Sequence, residues 1–352
     1  MADGAAPPRS RAGSRSLRSL GLFWLVLLVL GSAGVAVLDR LGPPERDAPR
    51  HDREAAEAAV PEVRPGTAPV AAIAPVTQAQ PRSPLIADPD PALLDRLRDG
   101  TLPRIAEDGR SAFRTYARPF DTADRRPRVA VLVAGLGISE SGTEEAIARL
   151  PGAVSLAFSP YGIRLAEFAA QARADGHEVL VSIPMEPVGF PLNDPGPQAL
   201  LTSLSWGENN QRLIWVLSRF PGYVGATNVL GPTLRGERFS ASPESMRPML
   251  EVLRARGLMF IEARPGEPAP QTLPARSVDL VLDERPARAE IEQRLAELER
   301  LARERGAALG LAGPGALARD LIATWAQGLE AKGLVLAPVS AIAAIPGRQA
   351  QR

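Results

Sequence analysis

RVAVLVAGLG, Arg128 to Gly137, is the stretch whose reading decides the fold. Val129 to Val133 is an unbroken apolar, β-branched run, too short for a helix and closed by a glycine-bracketed turn. That is the pattern of a strand buried on both faces. Ser141, with Glu144 three residues on, gives a capping-box signal for the helix TEEAIARL, which Pro151 and Gly152 end. Strand, turn and capped helix make one β/α unit, and such units place their chemistry in the turn after the strand. Here that turn is Ala134-Gly135-Leu136-Gly137, and its side chains are almost inert.

The unit recurs along the chain. Strands are expected at Arg128–Val133, Val154–Ser159, Glu178–Met185, Tyr223–Leu230, Leu258–Arg264, Ser277–Asp283, Ala307–Gly313 and Leu334–Ile342. Helices fall between most of them. Arg164 to Asp175 stops at Gly176, and Glu208 to Phe220 carries Leu213, Val216, Leu217 and Phe220 on one face. Ser242 and Pro243 open a helix whose stripe of Met246, Met249, Leu250 and Leu253 reads as core, and Ala287 to Arg305 turns Ile291, Leu295 and Leu298 inward. Strands separated by helices leave a parallel barrel or a doubly wound sheet open. The link from Arg264 to Ser277 is Pro-rich and shows no helix, which favours a deformed (β/α) barrel of about seven units over residues 128–345, followed by a tail at 346–352.

Before the barrel the chain changes character. Leu20 to Leu38 has 19 residues without a charge. At about 1.5 Å per residue this just crosses a hydrocarbon core of about 30 Å. Arg9, Arg11, Arg15 and Arg18 in the basic tail at 1–19 favour a cytoplasmic amino terminus, hence an inner-membrane signal anchor with the remainder in the periplasm. A cleaved signal peptide is the other reading, since Gly34-Val35-Ala36 offers a small-x-small site. Residues 39–92 form a Pro/Ala-rich linker; Leu41 to Ala92 holds 11 prolines and 12 alanines in 52 residues and cannot assemble a core. A lead-in at 93–127 has a short helical signal at Leu93, Leu94 and Leu97, with Phe113, Tyr116 and Phe120 as packing anchors.

Composition removes several classes of function. The 41 basic and 40 acidic residues of this 352-residue chain give no field to attract nucleic acid. With no cysteine, thiolate metal sites, thiol nucleophiles and disulfides are excluded. Of the two histidines, His51 lies in the linker and His177 precedes its strand, which puts it at the rim opposite the chemistry. No histidine is then available at the strand carboxyl ends for a catalytic triad or a zinc ion. Those ends present Ser159 to Tyr161, Ser182 to Pro187, Asn228 to Pro232, Glu262 to Arg264, Asp283 to Arg285 and Ala312 to Pro314. Glu186, Glu262 and Asp283 can supply an all-oxygen metal site or an acid/base pair, or can pair with neighbours such as Arg264 and Arg285.

At these strand ends the sequence resembles the divergent polysaccharide deacetylase family, bacterial relatives of the carbohydrate esterases with a deformed β/α barrel. The resemblance rests on RVAVLVAGLG, LAFSPYG (156–162), GHEVLVSIPMEP (176–187), NDPGP (193–197), GYVGATNVLGPT (222–233), GLMFIEAR (257–264) and LVLAPVSAI (334–342). It implies an aspartate pair after the first strand, where Ala134 and Gly135 stand, and histidines where Ser182 and Val229 stand. An aspartate position is taken by Glu262, and the late Gly-His-Pro segment becomes Gly310 to Pro314 without a histidine. The resemblance therefore implies an envelope-glycan protein that lacks metal-dependent deacetylation and acts as an interaction module or as a binder of polysaccharide or peptidoglycan-type glycan. Tyr161, Met185, Asn193, Asp194, Asn228 and Arg264 are the candidate substrate contacts, and no metal or cofactor is expected. The enzymatic alternative makes Glu186 and Glu262 the acid and base of a metal-independent hydrolysis.

Overall fold

The structure is a computed structural model that describes residues 86–231 and 234–343. The expected membrane span at 20–38, nearly all of the linker and the tail at 346–352 lie outside these residues. Among the described residues no helix is long and apolar enough to cross a membrane.

Strand β1 (Leu94–Leu97) pairs antiparallel with β2 (Gly100–Pro103). A helix was expected around Leu93 to Leu97. Instead Asp90 caps a single 3-10 turn at Pro91–Leu93, and the two-residue turn Arg98-Asp99 brings the chain back into a hairpin. Strand β3 (Arg128–Leu136) is the hub of the main sheet. It pairs in parallel with β4 (Ser155–Phe158) and, further along the same chain, with β10 (Ala307–Ala312) and β11 (Val335–Leu336). From β4 the sheet continues through β5 (Val179–Ser182), β6 (Gly225–Thr227), β7 (Met259–Glu262) and β8 (Ala275–Ser277); beyond β10 it ends on β9 (Leu280–Val281).

The strand expected at Ser277–Asp283 is thus two short ones, with only Val278 and Asp279 between them. β8 pairs with β7 and β9 with β10. Val278 N donates to the Glu262 carbonyl at 2.8 Å, and Asp279 N to the Leu309 carbonyl at 2.9 Å. This stretch passes from one edge of the curled sheet to the other, which gives seven strand positions in a deformed β/α barrel. The closing strand expected at Leu334–Ile342 is likewise shorter. It stops after Leu336, because Pro338 has no N–H to donate, and Val339–Ile342 form a helical turn.

Residues paired across parallel strands share a face. Ala134, Ala157, Leu180, Gly225 and Met259 form one such row. A Cβ at Gly225 would run into the Met259 side chain, so this position admits no larger residue. The opposite face meets the helices, where Phe158 packs edge-on against Phe220 at 6.0 Å. Met246, Met249, Ile291, Leu295 and Leu298 are buried in the core as their spacing implied.

Two caps differ from expectation. Ser139, not Ser141, caps the helix Glu140–Arg149 by accepting from Gly142 N, because Gly137 (φ 91°) ends the turn two residues before it. Ser205 and Glu208 form a full capping box that starts the helix Trp206–Leu217 before the expected Glu208.

His177 lies at the amino end of β5 and is completely buried. Its Nδ1 is 2.7 Å from the Val154 carbonyl and its Nε2 3.0 Å from the Ile147 carbonyl. Burial outweighs both carbonyls and nearby Asp175 and pushes the imidazole below its ordinary 6.5, with Arg118 adding to the effect. Between that lowered value and 6.5 the unfolded chain holds a proton that the folded chain does not, so stability is lost as pH falls through this window. Urea unfolding of wild type and His177→Gln at about pH 7.5 and about pH 5 is therefore expected to show the wild-type advantage shrinking at the lower pH. A difference independent of pH contradicts this placement of the imidazole.

Candidate functional site

The carboxyl ends of β5, β6 and β7 carry one connected polar network. Glu262, last in β7, is buried, and a buried carboxylate needs compensation. Arg264 supplies it in a fork: its Nε donates to Oε1 at 3.0 Å and its Nη2 to Oε2 at 3.1 Å. Oε1 also accepts from Arg264 N at 3.0 Å and from Asn228 Nδ2 at 2.8 Å. Burial works against the Arg264 charge, but Glu262 outweighs it, and the guanidinium pKa goes up. Asn228 follows β6, and its Oδ1 accepts from Ala263 N at 2.7 Å, which ties the two strand ends together. Ser240, in the short helix Glu237–Ser240, completes the cluster. Its hydroxyl lies 3.0 Å from Asn228 Nδ2 and 3.6 Å from Met185 Sδ, and its carbonyl accepts from Arg264.

Glu186 is buried beside this cluster and faces different partners. Thr202 donates to Oε2 from both its backbone N and its hydroxyl, each at 2.6 Å, and Arg238 Nε is 3.3 Å from Oε1. The Glu186 carbonyl accepts from Arg238 N and Phe239 N. Gly236 (φ 61°) makes this approach possible, since a Cβ there would lie 2.5 Å from Met185 Cβ.

Tyr161, Asn193 and Asp194 form a second group, on the loops after β4 and β5. The Tyr161 hydroxyl accepts from Gln198 N at 3.0 Å, and its ring covers Gly196 and sits 5.9 Å from the Trp215 ring. Burial pushes the Tyr161 hydroxyl pKa up. Asp194 accepts from Gly196 N, and Asn193 donates to the Val188 carbonyl. Met185, Asn228, Glu262 and Arg264 are thus brought together, Glu186 stands alongside, and Tyr161, Asn193 and Asp194 stand apart as a polar ledge. Ser240, Thr202 and Arg238 were not foreseen, because they lie in short irregular segments whose spacing carries no period.

The centre of the mouth is different. Ser182 and Thr227, directly paired at the ends of β5 and β6, are fully buried, and neither hydroxyl has a hydrogen-bond partner. Beyond β9, Asp283 accepts from Gly313 N through Oδ2, while Oδ1 has none. Burial raises the Asp283 pKa. A Cβ at Gly135 would meet the Leu230 carbonyl at 3.4 Å and Pro314 Cδ at 3.5 Å, so backbone and proline cover this position.

The barrel match settles the kinship. Residues 131–343 match the model of the divergent polysaccharide deacetylases. The chain belongs to that family. It is also similar to the crystal structure of an uncharacterized protein of Agrobacterium tumefaciens C58, at 34% identity and a TM-score of 0.64, covering 69% of this chain and 99% of that one. No curated protein matches. The positions that the family resemblance assigns to metal donors hold Ala134, Gly135, Ser182 and Val229, all but Gly135 buried. Among the described residues no three His, Cys, Asp or Glu side chains group closely enough to hold a metal ion. This donor chemistry does not fit a transition metal.

Removing the Glu262 charge leaves Arg264 without its fork partner in a largely buried setting. Glu262→Gln is expected to lower unfolding stability by about 3 kcal/mol in urea denaturation. Thr227→Val, which deletes an unpartnered hydroxyl at nearly constant volume, is expected to be neutral or stabilising by up to about 1 kcal/mol. The reverse order of effects contradicts the network.

Proposed function

We propose that this protein is a membrane-anchored, periplasm-facing member of the divergent polysaccharide deacetylases that has given up metal-dependent deacetylation and serves as a glycan-binding or interaction module of the bacterial envelope. The observation that carries the reading is the donor set: where the family resemblance implies aspartate and histidine, this chain has Ala134, Gly135, Ser182 and Val229. The anchor rests on the charge-free run at 20–38 and the basic tail before it. The ledge of Tyr161, Asn193 and Asp194 offers an aromatic ring with neighbouring amide and carboxylate groups, which suits a sugar ring and its hydroxyls.

A second reading keeps hydrolysis without metal, with Glu186 and Glu262 as acid and base. Proton transfer needs an oxygen that faces the substrate. Both Glu262 oxygens are engaged by Arg264, and the Glu186 oxygens face Thr202 and Arg238, which favours the binding role.

The test incubates the full-length chain with N-acetylated peptidoglycan-type oligosaccharides and follows acetate release and binding together. The expected result is saturable binding with no acetate, with or without added zinc, and a loss of about fivefold to tenfold in affinity for Tyr161→Ala. Zinc-dependent acetate release overturns the proposal. Metal-insensitive turnover that both Glu186→Gln and Glu262→Gln abolish establishes the second reading instead.

A further inference from the structure

Strand β4 starts late. It joins β3 only from Leu132 onward, and the stretch of edge before that, at Arg128 and Val129, is taken by β11. Because β10 fills the other edge of β3 from Arg128 to Val133, the segment 334–343 is what completes the sheet beneath β4. Leu334, Ala337 and Val339 are buried there.

The backbone supplies little of this attachment. β11 contributes two paired residues, and the Val335 and Ala337 amides donate to the Pro127 and Val129 carbonyls. From Pro338 on, every hydrogen bond between the segment and the barrel, among the described residues, involves a side chain. Arg128 Nη1 donates to the Ala341 carbonyl at 3.0 Å, and Val339 N donates to Ser155 Oγ at 3.1 Å. Ser340 donates twice to Glu178, from its N to Oε2 at 3.1 Å and from its hydroxyl to Oε1. Glu178 lies just before β5, is completely buried and takes no part in the rim. Its Oε2 also accepts from Ser155 Oγ at 3.3 Å, and its Oε1 from Arg118 N at 2.9 Å. One carboxylate thus joins the lead-in, β4, β5 and the segment after β11. At the segment's other end Gly333 (φ 70°) follows the 3-10 turn Glu330–Lys332, and a Cβ there would meet nothing within 4 Å, so the joint has room to turn.

A short segment held by a hinge, two strand residues and one side-chain cluster belongs to the parts of a fold that open first. We propose that residues 334–343 form a strap that opens from the amino end of the barrel while the barrel stays folded, and that Glu178 is the latch that sets how often it opens. The strap lies at the end opposite the rim and is independent of the glycan reading.

The chain has no cysteine, so a thiol placed by Ala337→Cys reports the strap and one placed by Ala308→Cys, in β10, reports the barrel. Both alanines are 0% exposed. The full-length protein is labelled with a thiol reagent at increasing urea concentrations. Without urea, position 337 is expected to react at least about tenfold faster than position 308, at a rate that urea scarcely changes, because opening a strap uncovers little surface. Glu178→Gln turns an amide nitrogen toward one of two backbone N–H donors and is expected to speed labelling at 337 about tenfold, with 308 unchanged. Ser340→Ala removes only the hydroxyl, is expected to speed 337 about threefold, and carries the test where Glu178→Gln does not fold. Equal rates at the two positions with the same urea dependence overturn the strap. A variant that speeds both positions equally, or leaves 337 unchanged, overturns the latch.

Discussion

A carboxylate placed inside a protein must be compensated, and Glu262 at the end of β7 imposes that demand on the whole carboxyl rim. Arg264 answers with a two-pronged contact, and Asn228 answers from the neighbouring strand while accepting from Ala263 N. Ser240 then bridges Asn228 to Met185. Three consecutive β/α loops are held in register through one buried charge. Glu186 repeats the arrangement on a smaller scale, fixing Thr202 and the start of the Glu237–Ser240 turn. Around Glu262 and Glu186 the polar groups of the rim hold one another.

Kinship with deacetylases is a statement about the fold, and the chemistry has to be read from the rim itself. Imidazole and carboxylate donors grip a transition metal because they converge with lone pairs free. Here the converging positions are methyl, hydrogen, hydroxyl and isopropyl groups, and the Gly135 position is covered by Leu230, Gly231 and Pro314. Of the rim carboxylates, Glu262 faces arginine and asparagine and Glu186 faces threonine and arginine, while Asp283 accepts only from Gly313 N. Ser182, Thr227 and one oxygen of Asp283 are buried without hydrogen-bond partners among the described residues.

Much of this was legible in the sequence, and the legible part follows from periodicity. RVAVLVAGLG identified β3, the strand on which β4, β10 and β11 all pair, and alternating strands and helices gave the deformed barrel. Apolar stripes placed Met246, Met249, Ile291, Leu295 and Leu298 in the core. Boundaries failed where backbone chemistry overrode pattern. Gly137 moved a cap from Ser141 to Ser139, Pro338 cut short the last strand, and the turn Arg98-Asp99 made a hairpin from a segment with helical spacing. The strand at Ser277–Asp283 split because it serves two neighbours in turn. At the site, Glu262 with Arg264 was readable as an ion pair from adjacency alone. Its link to Asn228 spans 34 residues and that to Ser240 crosses a helical turn, contacts that no local pattern encodes.

The proposal turns on one point: a mouth with Ala134, Gly135, Ser182 and Val229 where the family resemblance implies aspartate and histidine should not hold zinc. Isothermal titration of the metal-free full-length chain with zinc tests it most directly. The account predicts no heat beyond dilution and no metal retained after dialysis; stoichiometric, tight zinc binding that Asp283→Asn or Glu262→Gln removes would contradict it.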